Sequence, residues 1–584
     1  MTATIRVGNG PAAVAIGNGA VWVSVEFGDR VVKIDPAGAE PRIAATLPLG
    51  NRPKGIALGD DGVWVAVQAS GQGHRGGRLV VYADGLVAVD PAVVGTQSDV
   101  SAIGLVFDRL TAVRRTGGAE GTQLLPNLAA ALPAPTDGGK TYTFRLRPGM
   151  RYSDGRLVRP EDFRRGLERQ VANGAAGAGT RPAADWKVVG AAACTKQRCD
   201  LSRGVVTGKD TVTLRLTEPN PSFVLWLADV SPVPPGTPLN VTPTKPVPGT
   251  GPYMLESFVP GREARFVRNP RFRVWSQAAR PDGYTDEIVL RVGSKPNAAV
   301  DAVAQGRADV LLADLPPDRL PELKTRYPSQ LHLVPQRATA FLFLNTRTPP
   351  FDDLRVRRAV NFAVDRAKVV ALHGGADLAA PTCQTIPPSL SGHVPYCPYT
   401  TNPDSTGIWK APDLARAKRL VAASGTRGTK VVVWSFPYFN PEAEYVVALL
   451  RQLGYRASLR KFRDIDSYFG ALSTPPYPPA GFAGWFQLQR PSGPLETLGC
   501  AFPLNWADFC DRGFDRKLRR VLRQEFSDPE AAAASAARLD REVVDKAPWV
   551  PLFTPQLADF VSKRVENYQS NPYIGILLDQ LWVR

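Results

Sequence analysis

Residues 340–370 read AFLFLNTRTPPFDDLRVRRAVNFAVDRAKVV and join a strand to a helix in one unit. Residues 341–344 are a short apolar run of the kind that forms a buried strand, and Asn345 ends it. Pro349 and Pro350 follow, and two successive prolines exclude regular structure at that point. The unit therefore starts with a buried strand and a stiff turn.

The second part of the unit has the marks of a helix. Asp352 or Asp353 can cap its first turn, because a carboxylate accepts hydrogen bonds from the unpaired N–H groups there. Small and apolar residues then repeat at helical spacing, at Val356, Ala359, Val360, Ala363, Val364 and Ala367. We expect one helix here, with a buried stripe and a basic outer face.

Length and composition are typical of a large globular protein. With 584 residues, 44% of them hydrophobic and 21% charged, the chain should form roughly two to four domains. Its net charge of +17 predicts attraction to polyanions. No helix-turn-helix, zinc-finger or aromatic RNA-binding motif accompanies the arginine clusters at residues 145–169, 262–273 and 512–523. We expect no nucleic-acid partner, and we interpret the charge as solvated faces suited to an anionic cell envelope.

The six cysteines fall into pairs that are close in sequence. The nearest pairings join Cys194 to Cys199, Cys383 to Cys397, and Cys500 to Cys510. Each would close a short loop in a Pro- or Gly-rich region, as surface disulfides do. A zinc site would need ligand pairs two residues apart or nearby histidines, and the first and third pairs have neither. We expect three disulfides, an oxidising compartment and no metal.

The N-terminus does not match that compartment. The chain starts MTATIRVGNG, without the basic and apolar parts of an export signal, and no apolar run of about 18 residues occurs. We resolve the conflict by expecting upstream sequence, such as a membrane anchor, or a different start, and hence an extracellular or cell-surface location. A cytoplasmic protein with reduced cysteines is the alternative.

An internal repeat occupies residues 1–70. Residues 7–25 and 49–67 align without gaps at an offset of 42 (49 minus 7), and both contain a Val-Trp-Val core. A period in the low forties made of short strands is typical of propeller blades. The repeat resembles the YVTN-type β-propeller, with Trp22 and Trp64 as equivalent anchors. We expect an all-β, propeller-like fragment of about two blades.

The first copy of the repeat also permits a cofactor interpretation. Gly8, Gly10 and Ala13 are spaced like a dinucleotide-binding loop, but no crossover helix follows them. The repeat explains these residues without a nucleotide. Two blades cannot close a ring, which again favours upstream sequence.

The chain beyond the repeat carries motifs in a recognisable order. Residues 71–77 are a glycine-rich linker, and a strand starts at Arg78. Strand, turn and helix signals then follow at TYTFRLRPGMRYSDG (141–155), Pro160, GTGPY (249–253) and GRADVLL (306–312). Together with residues 340–370, they resemble the extracytoplasmic solute-binding proteins of family 5, the oligopeptide-, dipeptide- and nickel-binding components of ABC importers.

The resemblance implies an α/β periplasmic-binding-protein fold of type II. Two lobes would follow the linker from residue 78, with lobe I at about residues 78–337 and 545–584 and lobe II at about 338–544. A small subdomain would occupy residues 98–245. Such lobes close on a solute that contacts both of them only in the closed state. A peptide or other small solute and an ABC permease are the partners implied.

No catalytic motif accompanies these features. The sequence has no Gly-x-Ser-x-Gly elbow, phosphate loop or HExxH. Its histidines are isolated from nucleophile and metal motifs, at His74, His332, His373 and His393. Glu161 and Asp162 could form a catalytic carboxylate pair, but a helix that starts at Pro160 explains both as partners of the helix dipole. We expect no enzymatic activity and no cofactor.

The resemblance places the ligand site in GFAGWFQLQRPSGPL, residues 481–495. Gly484 and Trp485 match a family pair that is followed by backbone contacts to an extended peptide and often by an aspartate for its ammonium group. Leu488 stands at that position, and a buried, unpaired ammonium costs on the order of several kcal/mol. A capped, neutral or anionic ligand is therefore expected. The further candidates for contact are Phe486, Gln487, Gln489 and Arg490.

A second candidate wall follows the apolar strand that ends near Trp434. Loops at the C-terminal ends of strands in α/β lobes commonly meet ligands, which makes Phe436, Tyr438 and Asn440 candidates. Asn345 leaves the crossover strand, and it could touch the ligand or only cap a turn. Trp434 is also compatible with plain packing.

Three functions are compatible with these residues. The leading interpretation is an extracytoplasmic binding protein that captures peptides or related solutes by lobe closure for an ABC transporter. The alternative is a ligand-sensing ectodomain of a signalling fusion protein without a dedicated permease. A hydrolase that uses the cleft is the third.

Overall fold

A computed structural model describes most of the chain. The described residues are 5, 7, 11–25, 30–37, 41–49, 53–59, 62–67, 74–83, 85–86, 89–92, 97–173, 187–220, 223–227, 230–241, 246–293, 295–313, 315–473, 475–485, 490–502 and 504–584. The chain divides into two compact units, an N-terminal unit (1–77, 284–286 and 583) and a main unit (78–283, 287–582 and 584).

The N-terminal unit is built from β-strands. They are β1 (Pro11–Gly17), β2 (Ala20–Val25), β3 (Arg30–Asp35), β4 (Arg42–Pro48), β5 (Pro53–Gly59) and β6 (Gly62–Val67). The first four form an antiparallel sheet in chain order, and β5 pairs with β6. Val23, Val25, Val32 and Ile34 form a buried cluster on the sheet.

The strand pairing of this unit repeats with its sequence. β5 starts 42 residues after β1 (53 minus 11), and β6 starts 42 residues after β2 (62 minus 20). Each hairpin has a register shift at the same place, between Pro11 and Ala13 in one and between Pro53 and Gly55 in the other. The repeat therefore includes an irregularity of the backbone as well as residue identities.

The main unit starts with lobe I, which we define by strand pairing as residues 78–283, 287–335 and 556–582. Its first part contains β7 (Arg78–Ala83), α1 (Gln97–Val106), β8 (Thr111–Val113), β9 (Leu124–Pro126), β10 (Thr141–Arg145), α2 (Pro160–Asn173), β11 (Val205–Thr207), β12 (Thr211–Arg215) and α3 (Phe223–Trp226). It continues with β13 (Tyr253–Val259), β14 (Glu263–Arg268), β15 (Glu287–Val292), α4 (Pro296–Ala304), β16 (Val310–Leu312), α5 (Leu320–Arg326) and β17 (Leu331–Pro335). β10, β12 and β11 form a separate three-stranded sheet that shares a core with α2.

Two motifs of lobe I are explained by buried carboxylates. Asp162, in the first turn of α2, accepts the backbone N–H of Arg159 and the hydroxyl of Tyr152, both at 2.9 Å. Asp309, in the GRADVLL motif, accepts the backbone N–H of Val80 at 2.9 Å and so ties β16 to β7. Asp162 therefore stabilises the strand-turn-helix segment from within, as a helix-start residue does.

Lobe II comprises residues 336–555. Its elements are β18 (Thr339–Leu344), α6 (Leu354–Ala363), α7 (Arg366–Leu372), β19 (Ala379–Pro381), α8 (Leu414–Ser424), β20 (Lys430–Ser435), α9 (Asn440–Gln452), β21 (Arg456–Lys461), α10 (Ile465–Ala471), β22 (Ala480–Trp485), α11 (Gly493–Glu496), α12 (Arg512–Ser527) and α13 (Pro529–Lys546). β23 (Trp549–Val561) runs from lobe II into lobe I, and β24 (Val565–Glu566), β25 (Ser570–Asn571), β26 (Gly575–Ile576) and β27 (Trp582–Val583) follow.

Residues 340–370 form the predicted strand, but two helices rather than one. Every residue of β18 is buried. Asp353 caps α6 by accepting the N–H of Arg355 at 2.7 Å. The helix then stops at Val364, which has an extended backbone, and Asp365 caps α7 by accepting the N–H of Lys368 at 3.0 Å. The single helix was wrong because Asp365 is a strong capping residue inside the apolar repeat.

The prediction of a basic outer face for this segment is also wrong in part. Arg357 and Arg366 are buried. Arg366 donates hydrogen bonds to the carbonyl oxygens of Thr382 and Pro551, both at 2.9 Å, and burial lowers its pKa to about 10. Carbonyl groups from distant parts of the chain therefore take the place of water around these guanidinium groups.

One large sheet extends through both lobes. Its strand order is β13-β14-β15-β7-β16-β23-β18-β22-β20-β21, and β17 and β19 also pair with β23. The first part of β23 pairs with β18 and then, as far as Pro555, with β19; from Gln556 it pairs with β17. The chain therefore passes between the lobes along β23, and it also does so at residues 336–338, between β17 and β18. By strand pairing, β23 first completes the sheet of lobe II and reaches lobe I at Gln556.

Three disulfides lie in the main unit. They join Cys194 to Cys199, Cys383 to Cys397, and Cys500 to Cys510. These are the nearest pairings expected from the sequence. Within the described ranges, no helix is both long and apolar enough to cross a membrane.

Candidate functional site

β22 has one paired and one open edge at the centre of lobe II. Residues Ala480–Trp485 pair along their whole length with β18. On the other side, the parallel register with β20 includes only Ala480 and Gly481. Among the described residues, no strand pairs with the backbone from Phe482 to Trp485 on that side. An extended chain could therefore add to the sheet there.

The predicted Gly-Trp pair lies at the end of this open edge. The backbone of Gly484 pairs with Ala340, and that of Trp485 pairs with Thr339. The side chain of Trp485 lies outside the described part of the structure. The predicted contact residues Phe486, Gln487 and Gln489 lie outside it as well, as does Leu488.

Aromatic packing fixes the open edge in place. The Tyr468 hydroxyl donates a hydrogen bond to the carbonyl oxygen of Phe482 at 2.6 Å, and burial raises the pKa of Tyr468 well above its usual value. At Gly481, an added Cβ would lie 2.5 Å from the ring of Phe343 and 2.8 Å from the Tyr468 hydroxyl. Glycine is therefore required where β22 passes over these rings.

Arg490 is held by two carboxylates of lobe II. Its guanidinium pairs with Glu496 and Glu525, and its side chain is 18% exposed. The hydroxyl of Ser492 lies 3.0 Å from Glu496 Oε1 and 2.9 Å from Glu525 Oε2. Burial acts to lower the pKa of Arg490, but the two carboxylates outweigh it and raise the pKa. These contacts favour a structural role for Arg490 over the predicted ligand contact.

Three other predicted ligand residues also make contacts within the fold. Phe436 is buried and packs against Tyr468, with ring centroids 4.8 Å apart. Asn440 accepts the hydroxyl of Ser435 at 3.0 Å through its side-chain oxygen. Asn345 is buried, and its side-chain oxygen accepts a backbone N–H of the following turn at 3.0 Å. Of the two options left open for Asn345, these contacts favour the turn cap.

Tyr438 differs from these three residues because it lies at the surface and contacts side chains that are buried behind it. It lies in a 3-10 turn after β20 and is 42% exposed. Its hydroxyl is 3.1 Å from Nε2 of His373, whose Nδ1 is 2.9 Å from Oε1 of Glu442. The side chains of His373 and Glu442 are 10% and 1% exposed. We call these three residues the Glu442–His373–Tyr438 chain, since hydrogen bonds link a buried carboxylate to an exposed hydroxyl.

Sequence reasoning missed two residues of the Glu442–His373–Tyr438 chain. His373 follows α7 and Glu442 lies in the first turn of α9, 69 residues further along. No local pattern connects residues so far apart. His373 had the look of an isolated histidine, and Glu442 that of an ordinary helix-start carboxylate.

A profile of the bacterial extracellular solute-binding proteins, family 5 Middle, matches residues 123–494. This chain belongs to that family. The match includes most of lobe I, β18 to β22, and the sequence of the predicted ligand segment. Family 5 consists of extracellular solute-binding proteins rather than enzymes.

Curated relatives of this family 5 protein are about a quarter identical to it over the aligned residues. Di/tripeptide-binding protein 2 of Pseudomonas aeruginosa (strain UCBPP-PA14) is 26% identical over 493 residues, which cover 77% of this chain and 84% of the relative. The probable deoxycholate-binding periplasmic protein YgiS of Escherichia coli (strain K12) is 24% identical over 474 residues, covering 77% and 83%.

A solved structure of similar fold is the clavulanic acid biosynthesis oligopeptide binding protein 2. It matches with a TM-score of 0.76 and 23% identity, over 88% of this chain and 97% of that one. The match supports the two-lobed periplasmic-binding-protein fold for this family 5 chain. The predicted family and fold of the main unit are thereby confirmed.

Proposed function

We propose that this protein captures peptides or related solutes outside the cytoplasm and delivers them to an ABC permease. The names of the relatives support this choice, since they include di/tripeptide-binding and probable deoxycholate-binding proteins. The second of these suggests that the solute class is wider than peptides. No described feature favours the sensing alternative.

The open edge of β22 is the observation that carries the peptide proposal. A peptide in extended conformation can add to such an edge through its own N–H and C=O groups, and main-chain bonds of this kind do not depend on its side chains. β18 aligns the backbone from Phe482 to Trp485 on one side. The Tyr468 hydroxyl already bonds the carbonyl oxygen of Phe482, so the positions open to a peptide lie beyond that carbonyl, toward Trp485. Binding by this route does not require an ammonium anchor at Leu488.

Lobe closure is supported by the way the lobes are connected. Residues 336–338 and β23 are the crossings between the two halves of the sheet. Lys324 in α5 and Asp377 form an ion pair between the lobes at the surface, at 2.8 Å. Both side chains are more than a third exposed, so this pair costs little to separate. A solute that contacts both lobes can then determine which state is populated.

Native mass spectrometry of the purified protein tests the peptide proposal. We expect adducts whose masses match short peptides, and we expect calorimetry with a pool of tri- to pentapeptides to give micromolar or tighter binding. Matched peptides with N-methylated central amides should bind about tenfold more weakly or worse, because methylation removes the donor needed for strand pairing.

Two results would contradict the proposal. One is wild-type protein that carries no peptide and binds none from the pool. The other is equal affinity for methylated and unmethylated peptides, which would mean that the open edge of β22 is not used.

We also infer that the N-terminal unit is a propeller-type fragment and that residues 71–77 link it to a solute-binding domain starting at residue 78. The repeated register shift at Pro11 and Pro53 supports the blade assignment. Limited proteolysis of the full chain should cut within residues 71–77 and leave two folded products. Cleavage elsewhere at a higher rate would contradict this division.

A further inference from the structure

α12 carries a strip of exposed basic side chains. The arginines of this helix are all exposed, and they are Arg512, Arg516, Arg519, Arg520 and Arg523. At about 100° of rotation and about 1.5 Å of rise per residue, they lie within an arc of roughly 100° and span about 17 Å. Among the residues that the structure describes, none forms an ion pair or a hydrogen bond with these guanidinium groups. We call the five residues the arginine face.

The carboxylates of the same region are engaged elsewhere. Residues 511–546, which comprise α12, α13 and their caps, contain nine basic and eight acidic residues, a net charge of only +1 (9 minus 8). All the acidic residues except the exposed Glu530 form an ion pair or accept a hydrogen bond within the main unit. They are Asp511, Asp515, Glu525, Asp528, Asp540, Glu542 and Asp545. The arginine face is therefore the result of charge separation and not of a basic composition.

Packing determines which side of α12 faces outward. Phe514, Leu518 and Val521 lie on the opposite side of the helix and are buried in the core of lobe II. Lys517, between the two sides, pairs with Glu542 of α13. Because the apolar side is already used by the core, the helix cannot insert it into a second apolar phase. The arginine face can bind an outside partner only through charge and hydrogen bonds.

The chemistry of the face fits a flat array of phosphate groups. A guanidinium group donates two parallel hydrogen bonds to phosphate oxygens and stays charged at any physiological pH. Five such groups on one side of one helix form a strip, whereas single-stranded nucleic acid is held in a basic groove. The family is extracellular, and three disulfides lie in the main unit. A membrane surface is the phosphate array that such a protein meets.

We propose that the arginine face docks lobe II on the surface of an anionic phospholipid bilayer. The inference goes beyond the proposed function, because the arginine face is separate from the open edge of β22. It also gives the attraction predicted from the net charge of +17 a defined surface. Each basic residue near an anionic bilayer strengthens the attraction about fivefold. The contact is reversible, since no apolar group enters the membrane.

Sedimentation of the full chain with lipid vesicles tests the inference. Wild type should bind vesicles of phosphatidylglycerol and phosphatidylcholine in equal parts, and it should not bind vesicles of phosphatidylcholine alone. Binding should weaken as salt is added, because the Debye length falls from about 30 Å at 0.01 M to about 8 Å at 0.15 M. A variant with all five arginines of the face changed to glutamine should bind at least about a hundredfold more weakly.

A charge-matched variant separates the face from the net charge. It changes five exposed arginines of other elements and loops to glutamine, at Arg203, Arg215, Arg262, Arg419 and Arg456. Its charge is the same, but its binding should fall about tenfold or less, because these residues are spread over both lobes. Lysine at all five positions of the face should keep affinity within about threefold, since the charge remains.

Glutamine and arginine have similar helix propensities, so α12 should persist in the glutamine variant. Melting temperatures of all variants check the fold. If the variant with five changes does not fold, one limited to Arg516, Arg519 and Arg523 replaces it, with an expected loss of about thirtyfold or more.

Four outcomes would overturn the inference. The first two are wild-type protein that does not bind phosphatidylglycerol vesicles, or that binds phosphatidylcholine vesicles equally well. Equal losses in the arginine-face and charge-matched variants would assign the attraction to the charge of the whole chain. Tighter binding to duplex DNA or polyphosphate than to vesicles, lost in the arginine-face variant, would assign the face to a soluble polyanion.

Calorimetry with the peptide pool on the same proteins keeps this inference distinct from the proposed function. Peptide affinity should be unchanged in the arginine-face variant, because those side chains face away from the core of lobe II. Vesicle binding by wild-type protein that binds no peptide would overturn the proposed function and support the arginine face as a membrane contact.

Discussion

Replacement of Arg490 would show whether this residue serves the fold or the ligand. Arg490→Met keeps a long side chain and removes the positive charge that faces Glu496 and Glu525. The side chains of Arg490 and Glu525 are 18% and 8% exposed, so water can replace little of what is lost. The variant would leave two nearby carboxylates without their shared cation.

The expected loss of stability follows from this geometry. Removing one partner of a buried ion pair costs about 3–5 kcal/mol, because the remaining charge is left uncompensated. Glu496 is 22% exposed, and Ser492 still offers its hydroxyl and its backbone N–H, the latter at 3.1 Å from Glu525. We therefore expect the lower end of that range, about 3 kcal/mol, in the free energy of unfolding of lobe II. Urea unfolding followed by circular dichroism and tryptophan fluorescence measures it.

Matched variants separate charge from packing at this position. Arg490→Lys keeps the charge and should cost only about 1 kcal/mol, since it loses the planar fork. Combining Arg490→Met with Glu496→Gln and Glu525→Gln should recover most of the stability, because no unpaired charge remains. An Arg490→Met protein of unchanged stability but weakened peptide affinity would refute the structural role and restore the ligand contact first predicted.

Two further changes test the sheet edge and a helix start. Gly481→Ala should lower the free energy of unfolding by about 1–3 kcal/mol, because its Cβ would lie 2.5 Å from the Phe343 ring. Thermal or urea melts measure this loss. The control Gly470→Ala has open space around it and should not destabilise the protein. The Lys546 ammonium lowers the pKa of Asp511 from 3.8 to about 2. The stability that this ion pair contributes is therefore present above about pH 4 and is lost as the pH falls toward 2. Because Asp511 is 32% exposed, Asp511→Asn should cost only about 1 kcal/mol at pH 7, and a difference that persists at pH 2 would exclude the ion pair as its source.

The parts of the fold that could be predicted from sequence have local causes. β18 was recognisable because its apolar residues are consecutive, and Asp353 because a cap acts on N–H groups within its own turn. The repeat in the N-terminal unit was visible because each hairpin is closed within about twenty residues. In each case, the residues that determine the element are the residues that form it.

The parts that could not be predicted depend on distant partners. Arg357 looked like part of a solvated face, but it donates to the carbonyl oxygen of Lys546 at 3.1 Å, which lies 189 residues further along. Arg490 looked like a ligand contact, but Glu525 comes from α12, 35 residues away. A guanidinium can be solvated by water, by carbonyl groups or by carboxylates, and the sequence near it does not say which.

The same limit applies to the candidate site. The resemblance to family 5 led to Gly484 and Trp485, and their backbone lies on the open edge of β22. Tyr438 was chosen because loops after strands meet ligands, but the reason for its fixed orientation is His373. His373 is in turn within hydrogen-bond distance of Glu442, which no sequence pattern linked to either residue.

α7 brings these observations together, because it contacts both the crossing strand and the candidate site. Arg366, at its start, donates to the carbonyl of Pro551 in β23 at 2.9 Å. His373, which caps its end, packs on Phe553, and its Nε2 lies 3.1 Å from the Tyr438 hydroxyl. The strand that leaves lobe II and the Tyr438 side chain are therefore both held by one short helix. A ligand that contacted Tyr438 would therefore touch a part of lobe II that is continuous with β23 up to Pro555.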